Sequence, residues 1–297
     1  MELFVSAIAQ GILWSILSLG LFISFRILNV ADMTTEGSYP LGAATCVMLI
    51  HQGVHPLLAT LLAMIAGALA GLVTGVMITV CRIPSLLAGI LTMTGLLSIN
   101  LKVMQRPNLS LLNESTIFKA FSGFNLPLYY DLILIGGGFV ILLIDLMYGF
   151  FLTEIGQAII ATGDNPTMAT SLGISTNRMI ILGLMLSNSI IALAGGILSQ
   201  HNGFADINSG VGTIVIALAA IIIGEVFFGQ VTFILRLICI VLGSIIYRLF
   251  VMGVLQLKII DANDFKLFTA LLIALCLTLP QFRRLFQRVL PIGGRTI

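Results

Sequence analysis

Three histidines and four cysteines are the most reactive side chains of this 297-residue sequence, and their spacing arranges none of them for catalysis. His51 and His55 stand four apart, a spacing that on a helix lets two imidazoles share a metal. Gly53 and Pro56 favour a loop there and no carboxylate lies beside the pair, so no metal site is read. His201 falls in the polar HNGFAD turn, as a loop residue and not a catalytic base. Cys46, Cys81, Cys239 and Cys276 are scattered through apolar runs without paired spacing, which favours buried thiols over metal or disulfide roles. A phosphate-cradling GxxxxGK[ST] loop requires a Gly-Lys pair, and the sequence contains none. No catalytic residue is assigned, and the chain is not expected to be an enzyme.

Charges inside apolar runs need an account, because each costs about 2.5–3.5 kcal/mol at the centre of a membrane helix. Asp145 and Glu225 could each be a proton or ion site of an ion-coupled carrier, or an interfacial residue paired across helices. The interfacial reading is favoured, since no second acid flanks either. Arg236 and Arg248 lie near opposite ends of one run and read as snorkelling anchors. Richer polar groups interrupt three other runs: Thr34, Thr35, Glu36 and Ser38; Thr92, Thr94, Ser98 and Asn100; and Asn202, Asp206 and Asn208. Such groups either line a polar path or satisfy one another between helices. The expectation here is that they line a translocation path.

The elements that must hold these residues follow from composition. Apolar residues make up 59% of the chain, charged residues 9%, and mean hydropathy is +1.14, outside the range of soluble domains. Runs of about 20 apolar residues suit helices crossing roughly 30 Å of hydrocarbon, whereas the alternation of membrane barrels is absent. The reading is a single all-α polytopic membrane domain over residues 1–297 with about 8–10 transmembrane helices. Spans are placed at 3–25, 38–50, 56–80, 83–99, 131–152, 179–199, 210–228, 231–253 and 265–279. Glu2 precedes the first run without a basic flank, so a first span is expected there and not a cleaved signal.

Asp32, Glu36, Gly37 and Pro40 should break a helix at membrane depth, as in transporters that build pathways from discontinuous helices. ADMTTEG at 31–37 is echoed by ADINSGVG at 205–212, which suggests an inverted repeat. Arg283, Arg284, Arg288 and Arg295 after the last run place the C-terminus in the cytoplasm. Counting back puts Arg82 and Arg178 inside and the N-terminus outside. Gly67, Gly71 and Gly75 repeat every four residues and should admit a close neighbouring helix.

One polar segment, EIGQAIIATGDNPTMATSLGISTNR at 154–178, is built as a helix that stops at both ends. Asn165 suits the N-cap, Pro166 the first helical position, and Gly173 the C-terminal stop after Leu172. A helix of about two turns is marginal alone, so it either gains stability by docking against a partner or is an ordinary connector with good caps. Met168 and Leu172, four apart, give it an apolar edge.

GQAIIATGDNPTMATSLGISTNRMI followed by NSIIALAGGILSQ resembles the cytoplasmic coupling loop and next span of ABC-importer permeases of the branched-chain amino acid and ribose type. LNVADMTTEGSYPLGAA is similar to their early broken helix, and ADINSGVGTIVIALAAIIIGE to the region after the coupling span. Ile160 departs from the pattern, where these permeases often carry a basic residue. The resemblance implies a multi-pass permease subunit of the bacterial cytoplasmic membrane that moves a small polar solute inward. An amino acid is favoured, aromatic or branched-chain, with a simple sugar or nucleoside as the alternative; the TTEGSYPLGAA variant is similar to permeases linked to uptake of tryptophan or related amino acids.

The same resemblance implies a coupling loop at 153–178 that engages an ATPase through Gly163, Asp164, Asn165, Pro166, Met168, Leu172 and Gly173. Its implied partners are an ABC ATPase subunit, an extracytoplasmic substrate-binding protein, a second permease copy and membrane lipid, with no nucleic acid. This chain would bind no cofactor, ATP and Mg²⁺ residing on the ATPase.

Overall fold

Helices account for nearly all of the computed structural model, which describes residues 2–112, 114–121, 130–228, 232–256, 271 and 274. In chain order they are α1 (Glu2–Phe22), α2 (Thr35–His51), α3 (Pro56–Thr79), α4 (Ser85–Met104), α5 (Ile117–Phe121), α6 (Tyr130–Leu152), α7 (Glu154–Asp164), α8 (Pro166–Ser171), α9 (Thr176–Asn202), α10 (Thr213–Phe228) and α11 (Phe233–Gln256). Two three-residue strands, β1 (Asn108–Ser110) and β2 (Phe204–Asp206), pair antiparallel with Asn108 opposite Asp206.

Seven segments among the described residues are long and apolar enough to cross a membrane: Leu3–Ile27, Pro56–Thr79, Ser85–Met104, Tyr130–Leu152, Thr176–Asn202, Ile207–Val226 and Phe233–Val254. The expected short span at 38–50 is α2, whose 17 residues reach only about 25 Å. It starts at Thr35 and contains Pro40 in its second turn, where the ring removes the amide that would otherwise bond the Glu36 carbonyl. Apart from Leu271 and Ala274, the run at 265–279 lies outside the described residues, as do Cys276 and the C-terminal arginines.

The spans of α1 and α9 are each 72% buried, whereas those of α3, α4 and α6 are buried over about a third. Lipid is as apolar as leucine, so close packing and hydrogen bonds must hold such a bundle together. The glycines of α3 supply the closest packing. A side chain on Gly67 would strike the Asn188 carbonyl, one on Gly71 the Leu184 carbonyl, and one on Gly75 the backbone at Ile181. All three face α9, as their four-residue repeat requires.

α9 also sets the polarity of the molecule. Its 27 residues, about 40 Å of helix, begin beside α8 and end at β2, so the capped segment and the two-stranded ribbon occupy opposite ends. At the first of these ends α1 does not stop cleanly. It continues through a π-turn, Ile23–Ile27, and Asn29 then adopts a left-handed φ of 53°. Single π-turns of this kind occur preferentially at functional sites.

Candidate functional site

The first break, between α1 and α2, folds into a buried polar cluster. Asp32 accepts a hydrogen bond from the Thr34 amide at 2.9 Å and another from Asn188 Nδ2 of α9 at 2.7 Å. Ser38 Oγ donates to Asn188 Oδ1 at 2.7 Å, and Thr35 Oγ1 donates to the Asp32 carbonyl at 3.1 Å. A second chain of hydroxyls runs Thr34 to Thr74 at 2.7 Å and Thr74 to Thr92 at 3.0 Å, joining the break to α3 and α4. Asn100 Nδ2 donates to the Gly37 carbonyl at 3.4 Å, and its Oδ1 is buried without a partner.

The sequence-predicted residues therefore divide. Thr34, Thr35, Ser38, Thr92 and Asn100 converge on the break and are buried. Thr94 and Ser98 do not join them. Both are exposed, and the Thr94 hydroxyl turns back to the Leu91 carbonyl of its own helix. Asn188 and Thr74, which tie the cluster to α9 and α3, were missed by sequence reasoning. Their only signal was a polar side chain set inside a long apolar run.

The second break, between α9 and α10, carries Asn202, Asp206 and Asn208. Asn202 is the exposed last residue of α9, and Gly203 follows in the left-handed region at φ 77°. Asp206 caps the short turn Ile207–Gly210, accepting from the Asn208 amide at 2.7 Å, while Asn208 itself is exposed. The two breaks meet: Glu36 Oε1 accepts from the Gly212 amide at 2.9 Å, immediately before α10. A carboxylate there is also favoured by the positive end of the helix dipole. Gly210 packs so closely on the Glu36 carbonyl that any side chain would collide with it.

The far end of α10 is tied to the same segment. Arg26 in the π-turn grips both carboxylate oxygens of Glu225, at 2.6 and 2.7 Å. Glu225 is thus an interfacial residue paired across helices, as its sequence setting favoured. Asp145 lies on an exposed position of α6. α10 is held at its start by Glu36 and near its end by Arg26, two residues that flank the first break.

That break also rests on the capped segment. Asn29 Nδ2 donates to the Gly163 carbonyl at 3.1 Å, and Gly163 lies against the Ile27 carbonyl too closely to carry a side chain. Gly163 sits in α7 and owes its identity to this close approach and not to a positive φ; Gly173, at φ 82°, does need that freedom.

α8 forms as its caps dictate. Asn165 Oδ1 accepts from the Met168 amide at 3.0 Å, Pro166 takes the first position, and the Gly173 and Ile174 amides close the end on Thr170 and Ala169. This last pair is a Schellman closure. Met168 and Leu172 are exposed, and Asp164 ends α7. The sequence reading did not separate α7 as a helix of its own. Its N-cap, Thr153 accepting from the Gly156 amide at 3.3 Å, was legible, and Asn165 serves both helices as their shared boundary.

The residues set aside on sequence occupy structural places. His51 ends α2, bonds the Ser110 carbonyl and approaches Glu114 at 3.3 Å, while His55 caps α3; the two do not share a helix face. His201 belongs to the last turn of α9, not to the loop expected, and packs edge-on to Phe118. Arg248 departs most from expectation. Its guanidinium does not snorkel outward but lies over the Trp14 ring, 4.5 Å from the centroid.

A helical bundle with two polar breaks in contact, a short capped helix at one end and a ribbon at the other has the make-up of a multi-pass permease of the cytoplasmic membrane. Residues 3–277 match the family described as branched-chain amino acid transport system / permease component, and the chain belongs to that family. It is 38% identical to a tyrosine transport system permease protein of Clostridioides difficile, over 91% of this chain and 88% of that protein. An uncharacterized protein of Rickettsia prowazekii is 36% identical over 77% of this chain and 79% of its own length. An autoinducer 2 import system permease protein of Yersinia enterocolitica is 25% identical over 66% of this chain and 53% of that protein. No solved structure matches.

Proposed function

We propose that this chain is the membrane-spanning subunit of an ATP-driven importer that carries an amino acid into the cytoplasm. A separate ATPase subunit, holding ATP and Mg²⁺, docks on α7 and α8. An extracytoplasmic binding protein delivers solute at the opposite, ribbon-bearing end, and a second permease copy completes the transporter. The observation that carries the reading is the contact of Asn29 and Ile27 with Gly163, which joins a docking helix to a broken transmembrane helix.

Motion of α7 and α8 reaches Ile27–Asn29 directly. From there it passes to α10 through Arg26 and Glu225 and through Glu36 and Gly212. Displacing α10 from α2 separates the two breaks and opens a route past Thr34, Thr35, Glu36, Ser38, Asp206 and Asn208. Thr92 and Asn100 border this route and Asn202 stands at its margin, whereas Thr94 and Ser98 are turned away from it. The relative named for tyrosine transport supports an amino-acid solute, and the autoinducer 2 relative, at 25% identity, weighs less. Of the two carboxylates on which an ion-coupled carrier was considered, Glu225 has both oxygens occupied by Arg26, and Asp145 lies exposed on α6, outside the buried polar cluster.

The test is Met168→Asp. An unpaired charge in an apolar contact should release the ATPase or uncouple hydrolysis from uptake while membrane insertion persists. Wild-type co-purification and transport in that variant would overturn the coupling role.

A further inference from the structure

Arg248 is a cation inside a membrane span, in the company of two aromatic rings. Its guanidinium lies on the face of Trp14 from α1, and Trp14 stacks with Tyr39 from α2 at a centroid distance of 6.1 Å and an interplanar angle of 23°. Among the described residues no carboxylate lies within ion-pair distance of it, the two ion pairs there being Arg26–Glu225 and His51–Glu114. Its Nε is buried and has no acceptor. Guanidinium is a rigid fork of five donors matched to a carboxylate, and the unpartnered Nε–H leaves a donor of this fork available to an anion.

The surroundings fit a transient anion. Cation–π contact holds the guanidinium in place without neutralising it, so the charge stays available. Tyr39 follows Ser38 in the first turns of α2, which places the trio beside the first break and its polar cluster. The seam between the ends of α1 and α11, one turn beyond Arg248, is incompletely filled around Ala7, Leu249 and Met252. Elsewhere α1 and α11 approach closely, with Gly11 against Ile245 and Ser244 bonded to the Gly11 carbonyl at 2.8 Å.

We infer that Arg248, held on Trp14, which is itself stacked with Tyr39, is a binding subsite for the carboxylate of the amino acid in transit. The inference rests on the amino-acid reading given above and assigns this residue the recognition of its anionic end.

Trp14 is the single tryptophan of the chain, so its emission reports on this site alone. The full-length chain in phosphatidylcholine nanodiscs is titrated with L-phenylalanine, with L-leucine and with phenethylamine, which has the ring and amine but no carboxylate. Both amino acids should change Trp14 emission saturably and phenethylamine should not. Arg248→Gln should weaken the response at least tenfold, and Arg248→Lys, which keeps the charge and loses the fork, should weaken it less. A silent Trp14, an equal response to phenethylamine, or an unchanged midpoint in either variant would overturn the subsite. An emission change on replacing phosphatidylcholine with phosphatidylglycerol would assign the cation to a lipid headgroup and overturn it as well. Uptake by the assembled transporter separates this inference from its parent reading. Amino-acid import with a silent Trp14 removes the subsite only, whereas import of another solute in place of amino acids removes both.

Discussion

Gly163→Ala tests the transmission route with one methyl group. The added carbon would coincide with the Ile27 carbonyl oxygen and crowd the Leu28 backbone, so no side-chain rotation can relieve it. Overpacking of this kind costs about 1–3 kcal/mol. The opposing gain, alanine over glycine within α7, is at most about 1 kcal/mol, so the clash dominates. The chain relieves it by withdrawing α7 from the break, which also stretches the Asn29–Gly163 hydrogen bond of 3.1 Å. The docked population should fall roughly tenfold, given about 1.4 kcal/mol per factor of ten. Uptake and ATP hydrolysis are measured together in vesicles carrying the whole transporter. The expected outcome is hydrolysis that continues while import drops about tenfold. Gly149→Ala is the control, because nothing lies within 4 Å of a side chain there, and it should leave both rates unchanged. Normal import by Gly163→Ala, with normal stoichiometry to ATP, would refute the mechanical link.

Other outcomes follow from the same contacts. Gly71→Leu should drive a side chain into the Leu184 carbonyl and lower the yield of folded protein, and an unchanged yield and melting profile would mean that α3 and α9 do not touch there. Arg26→Gln and Glu225→Gln should be non-additive in thermal stability by about 0.2–1 kcal/mol, the range for a partly exposed pair, and strict additivity in a double-mutant cycle would remove the clamp on α10. Cysteines at Asn202 and Asn208 should react with small aqueous reagents in the resting transporter, whereas cysteines at Thr34 and Ser38 should react only during ATP turnover. Protection of all four throughout turnover would place the path elsewhere.

Features with local causes were legible in the sequence. Composition alone named the solvent, and the apolar runs gave the long helices. Asn165, Pro166 and Gly173 gave α8 to within one residue, because a cap is made between positions three or four apart and needs no distant partner. The four-residue glycine repeat marked a contact face, though not which helix would fill it. Long-range pairing was decided only by the tertiary structure. Arg26 and Glu225 are 199 residues apart and Glu36 and Gly212 are 176 apart, and many other polar groups could have satisfied either member. Nor could spacing separate Thr92, turned into the cluster, from Thr94, two residues on and turned away, since the neighbours of α4 decide which side of it is interior. Arg248 shows the same limit: position along the helix suggested an outward anchor, and only the packing of α1 against α11 put Trp14 beneath it. In an apolar chain each polar group must find a partner, but sequence states the need and the fold supplies the address.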